Sequence, residues 1–236
     1  YFKDEDLDVS FEVVDGSSSV VQQVGAGNAD IGMTAGSAAL QGAAQELPIK
    51  WVHTTWYGNT IGMAAPTSSG VRSLEDLPKG AIVGVSSLSG GAVPEVRGIL
   101  TGDFGLQEGE DYTIQAVGEG GALTQQALEK GTVDAYASSV FDVASIENGG
   151  MPLTQLFTDD YKYLPSLGHI VTEDVLEDRR DDLAAFHRAI NKGYVFAEAN
   201  VDEAKAIAEK HGPELFEDKE VAESFWDTTT DALQAP

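Results

Sequence analysis

Residues 29–55 read ADIGMTAGSAALQGAAQELPIKWVHTT. The run from Ala29 to Met33 predicts a strand, Thr34 to Gly36 a turn, Ser37 to Glu46 a helix, and Ile49 to Thr55 a second strand. Strand, short turn, helix of about ten residues and strand form the unit from which a mostly parallel sheet flanked by helices is built. Upstream, Leu7, Val9, Phe11 and Val13 alternate with Asp8, Ser10 and Glu12 until Gly16 breaks the pattern, so Leu7 to Asp15 reads as a half-buried strand. Ser17, Ser18 and Ser19 offer N-caps to a helix through Val20, Val21 and Val24, which Gly25 and Gly27 close.

The same rhythm continues downstream. After Trp56 and Tyr57, an extended run from Thr60 to Ala64 meets Pro66, Thr67, Ser68, Ser69 and Gly70, a composition shift read as a crossover between domains. Strand Ala81 to Val85, the loop Ser86 to Gly91 and a helix through Val96, Ile99 and Leu100 follow. Then come strand Tyr112 to Val117, helix Ala122 to Lys130, strand Val133 to Ala137, and a helix through Phe141 and Ile146 that Gly149 and Gly150 end. Past Leu164 and Pro165, a strand from His169 to Val171 leads into a helical tail. There Leu183, Phe186, Ile190, Tyr194 and Ala197 share one helical face, which needs a cover. Further helices are expected around Ala204 to His211 and Val221 to Trp226.

Composition narrows the function classes. Of 236 residues, 42% are apolar and 22% charged, which is the balance of a globular body. Lys and Arg total 14 against 39 Asp and Glu, a net charge of −25 that repels nucleic acid and anionic membrane surfaces as partners. No stretch reaches the roughly 18 unbroken apolar residues of a membrane helix, so the chain is not expected to insert into a bilayer. Cysteine is absent, which removes disulfides, thiolate metal sites and cysteine nucleophiles. The sequence opens at Tyr1 without methionine, and an upstream segment is expected to have been removed or left out.

Loops of Ser, Thr and Gly recur where strands end: Thr34, Ala35, Gly36 and Ser37; Ser86, Ser87, Leu88, Ser89, Gly90 and Gly91; Gly118 to Gly120; Ser138 and Ser139. In open α/β sheets ligands bind at the carboxyl ends of strands, where following helices present free N–H groups. Capping and turn-making explain any one such loop; recurrence at equivalent places makes them site candidates. Trp56 and Tyr57 offer an aromatic wall, and Phe141 with Asp142 can close a pocket from the opposite side. The Ser86 loop lacks the Gly-Lys-Ser/Thr ending of a phosphate loop and does not fit the dinucleotide fingerprint. His53, His169, His187 and His211 fall on separate elements without acidic companions, so no metal site is expected; His53 and His169 read as core or pocket residues, His187 and His211 as helix surface. No nucleophile elbow is present. Neither a cofactor nor catalytic residues are expected.

Several stretches together carry a resemblance: Tyr1 to Val9, Val24 to Gly32, Val71 to Leu77, the Ser86 to Gly91 loop, and Leu128 to Ala135. In this order they resemble the solute-binding proteins of ABC importers with the type II periplasmic-binding fold, in the branch of sulfonate, taurine, nitrate and thiamine-pyrimidine binders. The resemblance implies an α/β fold of two lobes, each a mostly parallel sheet flanked by helices. Residues 1–65 and 166–236 would form a discontinuous lobe I and residues 66–165 lobe II, with hinges near Pro66 to Gly70 and Leu164 to Leu167. Lobe I is expected to lack its first strand and helix, leaving a sheet edge for a neighbour, a swap or a rearranged segment to cover. The implied ligand contacts are Thr34, Ala35 and Gly36 from one lobe and Ser86, Ser87 and Ser89 from the other. The implied partners are a small organic solute, such as a sulfonate, an organic acid or a pyrimidine-type heterocycle, and the membrane subunits of an importer. The implied place is extracytoplasmic, periplasmic or cell-surface, with a lipid anchor ahead of Tyr1 as one arrangement. The alternatives are an enzyme on the same fold, like those of the menaquinone pathway, and an interaction module without transport function.

Overall fold

The computed structural model describes residues 1–164, 166–216, 222–223 and 226–227. Of the expected helix over Val221 to Trp226, residues 221, 224 and 225 lie outside them, as does Pro165. Chain order runs α1 (Ser17–Gly25), β1 (Gly32–Ala35), α2 (Gly36–Ala44), β2 (Ile49–Trp56), β3 (Ile61–Pro66), β4 (Ala81–Val85) and α3 (Ala92–Arg97). It continues with β5 (Tyr112–Ala116), α4 (Ala122–Glu129), β6 (Ala135–Ser139), α5 (Val140–Asn148), β7 (Leu153–Gln155), β8 (Leu167–Thr172), α6 (Glu173–Asp178), α7 (Arg180–Ala199) and α8 (Val201–His211).

The strands form two sheets. The larger has order β5-β4-β6-β3-β7, with β4 parallel to β5 and β6, and β3 antiparallel to β6 and β7. It is mainly parallel and flanked by helices, the architecture that the alternation of short strands and helices predicts. Ala81, Val83 and Val85 of β4 are at most 1% exposed because both faces of this sheet are covered. On one face Val83 and Val85 pack with Val93, Val96 and Leu100; on the other, Ala64 and Tyr136 pack with Leu128, Val143 and Ile146. Gly27 and Gly131, each before an Asp that leads into a strand, adopt φ of 74° and 64°, the left-handed conformation that ends α1 and α4.

The smaller sheet has order β1-β8-β2, and β8 is antiparallel to both neighbours. The strand that returns from the far end of the sequence thus enters between two strands of the N-terminal quarter. Ile170 joins Val21, Val24, Ala38, Ala39 and Ile49 under α1 and α2. His169, one residue earlier, faces the opposite side, where the Phe186 ring of α7 lies edge-on to it. The apolar stripe of α7 is covered there, and the N-terminal segment completes the cover: Phe2 stacks on Phe186 at 5.2 Å, while Glu5 pairs with Arg188 and Lys192.

The strand expected over Leu7 to Asp15 does not form. No strand is present there, and Phe11 and Val13 are 75% and 99% exposed. Alternation supplies a strand's two faces, but a strand also needs a neighbour for its backbone groups. Among the described residues, β1 has β8 on one edge and no strand on the other. The chain passes from the smaller sheet to the larger between Trp56 and Ile61, and returns between Gln155 and Leu167. Among the described residues no helix is long and apolar enough to cross a membrane.

Candidate functional site

The loops at the strand ends meet across a seam between the two sheets. Ser18 N donates to Ser89 O at 2.9 Å, and Ser37 Oγ donates to Gly91 O at 2.8 Å. A Cβ on Gly91 would lie 2.5 Å from Ala35 Cβ, and one on Gly16, whose φ is 77°, would collide with Ser89. Gly16 needs glycine for its positive φ and for the Ser89 backbone beside it, and Gly91 for the close approach of Ala35. Within this layer Thr34 is fully buried, and its hydroxyl donates to Ser17 O at 3.0 Å. Ala35 N donates to Ser17 Oγ at 3.2 Å, so that hydroxyl supports the β1 end and does not cap α1 as the serine run suggested.

Two passages between the sheets lie side by side beneath the seam. Asn59 N donates to Lys162 O, Thr60 N donates to Ser166 Oγ, and the Thr60 and Ser166 hydroxyls are bonded to each other. Gly36 N donates to Ser166 O, which ties this pair to the start of α2. The two segments are thereby tied together. Asn59 Oδ1 accepts from Ile61 N, which directs its Nδ2 to Glu95 Oε1 at 2.6 Å. Glu95 is 8% exposed, and burial pushes its carboxyl up to about 7 despite the Asn59 bond.

The remaining candidates line the same region. Trp56, at the end of β2, meets the Phe141 ring edge-on at 6.1 Å, and Tyr57 is 38% exposed. Ser139 accepts from Phe141 N and Asp142 N and so caps α5, while Ser138, 2% exposed, donates to Asp142 Oδ2 at 2.5 Å. Ser87 and Ser89 hydroxyls lie 3.0 Å apart, with Ser89 Oγ 3.5 Å from Asp15 Oδ2. Ser86 and Gly90 complete that loop, where a Cβ on Gly90 would press within 3.1 Å of Ser87 O.

The Thr34 and Ser86 loops are thus brought together. The Ser138 group sits at the larger sheet's β6 end, linked to the seam through Phe141 and Trp56. Ser37 and Gly91 belong to the candidate loops read from the sequence, whereas Asn59, Glu95 and Ser166 were missed. For Glu95 a signal existed: Ala92, Glu95, Val96 and Ile99 fall at helical spacing, which places one acid on an apolar stripe. The seam is closed in this conformation, and two cavities of about 560 and 140 Å³ lie away from it, beside Tyr1 and α7 and beside Leu77 and Tyr112.

The histidines are arranged differently from the expectation. His187 is half-buried and lies 3.2 Å from His169, Nε2 to Nδ1, with the His53 ring 4.5 Å from its own. Burial and the neighbouring imidazoles hold His169 down at about 4, and burial also lowers His53 and His187. Among the described residues no group of three or more His, Cys, Asp or Glu is arranged to hold a metal ion.

The sequence matches no curated protein. Among solved structures, a protein of Bordetella bronchiseptica RB50 is similar at 24% identity and TM-score 0.76, over 100% of this chain and 75% of that one. The alkanesulfonate-binding protein SsuA of Xanthomonas axonopodis pv. citri, bound to MOPS, is 16% identical at TM-score 0.63, over 84% of this chain and 66% of that one. A Candida albicans gene product described as having the generic periplasmic binding protein fold is 18% identical at TM-score 0.66, over 89% of this chain and 68% of that one. These likenesses show the periplasmic binding protein fold. The family model described as NMT1/THI5 like matches residues 1–204, and the chain belongs to that family.

Proposed function

We propose that the protein is an extracytoplasmic solute-binding component of an ABC importer, which closes two lobes over a small organic molecule and hands it to membrane subunits. The carrying observation is the seam: hydroxyl- and glycine-rich loops from two sheets face each other above two adjacent crossovers. Family membership and the sulfonate-binding neighbour support the same reading. Lobe I takes in the smaller sheet and the helical tail, and lobe II the larger sheet. The pairing of β3 with β6 and β7 supports a crossover at residues 57–60, one strand earlier than the Pro66 to Gly70 stretch. Thr34, Ala35, Gly36, Trp56, Tyr57, Ser86, Ser87, Ser89, Gly90, Ser138, Ser139 and Asp142 surround the solute. The contacts across the seam are those of the closed state, and the solute enters when the hinge opens. Binding without turnover fits side chains that pair hydroxyls with carbonyls and carboxylates and bring no nucleophile onto a base.

A second reading, an interaction module, has one observation in its favour: the seam is filled by the chain's own loops. Thermal unfolding against sulfonates, small carboxylates, amino acids and pyrimidines separates the two. A solute at 100 times its Kd adds about 2.7 kcal/mol to the native state, so one chemical class should raise Tm clearly. A cooperative melt that no solute moves would favour the interaction module.

A further inference from the structure

Resting on the reading of the seam as a solute cleft, we infer that Glu95 reads the solute's charge and that the cleft takes a small molecule presenting a positively charged nitrogen. Glu95 lies on α3 about one turn after Gly91 of the seam and meets the 57–60 crossover, and among the described residues Asn59 alone donates to its side chain. One carboxylate oxygen is thereby fixed, and the other remains for a donor that enters with the solute. The second oxygen has no protein partner among the described residues and is not sealed from solvent, so it is open to an arriving group, and a carboxylate in so largely buried a place bonds a cation more strongly than a neutral donor.

Among the described residues, none supplies such a cation to Glu95. α2 carries no charged residue, and on α3 itself Arg97 turns away to Glu108 at 2.6 Å. On the sheet face under α3, β6 brings only Ala135 and Ala137, which carry no charge, and the turn after α3 brings Asp103, bound by the Tyr161 hydroxyl. In the second crossover Lys162 sets its Nζ over the Tyr163 ring. Lys50, Lys79, Arg179, Arg188 and Lys192 pair with acids elsewhere on the surface. The other acids nearest the seam loops, Asp15 and Asp142, add negative potential. A sulfonate or phosphonate would bring a further anion into this field, where interactions are stronger than in water.

The inference also sets a proton linkage. The carboxyl is held near 7 in the absence of solute, so cation binding must expel its proton below that pH. Affinity for a cation should therefore fall about twentyfold from pH 7.5 to 5.5.

Calorimetry with ethanolamine, putrescine and an aminopyridine, against ethanesulfonate, methylphosphonate and acetate, tests this on the full chain. The expected result is binding of at least one cationic probe, with proton release near pH 6 and the stated pH slope. Glu95→Gln should weaken it at least tenfold and abolish the slope, whereas exposed Glu75→Gln should leave both unchanged. If Glu95→Gln does not fold, the wild-type slope and proton release carry the test. Anionic probes binding without a pH slope, or cationic binding indifferent to Glu95→Gln, would overturn the inference and leave the solute-binding reading intact. Binding of no probe of either sign would overturn both.

Discussion

Glu95 at the seam and His169 behind the smaller sheet are each less than a tenth exposed, yet burial drives them in opposite directions, the carboxyl up to about 7 and the imidazole down to about 4. Both are thereby kept neutral near pH 6. Their surroundings differ in kind. Glu95 has one amide partner, beside the crossover that the proposed function makes a hinge, so on that reading an arriving group can recharge it. His169 is wedged against His53, His187 and Phe186 between a sheet and a helix that stay packed. A neutral acid at a hinge is suited to binding. A stack of neutral imidazoles is suited to holding a helix in place, and protonation breaks it.

Packing without titration gives the largest expected effect. Ile170→Ala, on the opposite face of β8 from His169, should cost about 2–5 kcal/mol at every pH and leave the pH slope unchanged in denaturant titrations. A changed slope would show that the two faces of β8 are coupled.

Removing one titrating group comes next. The native state binds fewer protons than the unfolded chain at His169 between about 4 and 6.5, so this site loses stability as pH falls. At Glu95 it binds more protons between 4.5 and about 7, so that site loses stability as pH rises. From pH 4.5 to 6.5 the two contributions oppose each other in the wild type. Glu95→Gln should therefore gain stability with rising pH in this window, and His169→Leu should lose it, each by about 2 kcal/mol. Urea midpoints at the two ends of the window decide the signs, and equal slopes in both variants would contradict the assignment.

Smaller effects test the seam and the N-terminal segment. Ser37→Ala removes the hydroxyl bonded to Gly91 O and should weaken the seam by about 1 kcal/mol, read as faster amide exchange at Ser18, whose N–H is bonded to Ser89 O across it. Phe11→Ser should change stability by less than about 0.5 kcal/mol because its ring is already exposed. A large loss there would mean that Phe11 is covered in solution.

How far the sequence could be read follows the range of each interaction. Ala81–Val85 was legible with its bounds, since a fully covered strand is a continuous apolar run between turn signals. β7 was not, because Leu153–Gln155 is too short to show a period. Leu7 to Asp15 has a strand's alternation but no strand beside it, and pairing is a long-range property that local spacing does not encode. The same reason hid the antiparallel entry of β8 between β1 and β2. Pro66 to Gly70 marks the end of β3, while the change of sheet happens earlier, through Asn59 and Thr60, without a composition signal. At the site, the Ser and Gly loops were legible as strand-end punctuation. Glu95 passed as one acid among 39 despite its position on the apolar stripe of α3. The histidine stack joins residues from β2, β8 and α7, and only the tertiary fold places them in contact.

The most direct test of lobes closing over a solute is the distance between them. The chain contains no cysteine, so Leu40→Cys on α2 and Leu123→Cys on α4, at positions 74% and 79% exposed, give a single pair of sites for spin labels. Pulsed electron resonance should show an open and a closed distance without solute, and the closed distance alone once a binding solute is added. One unchanging distance under every solute would contradict the account.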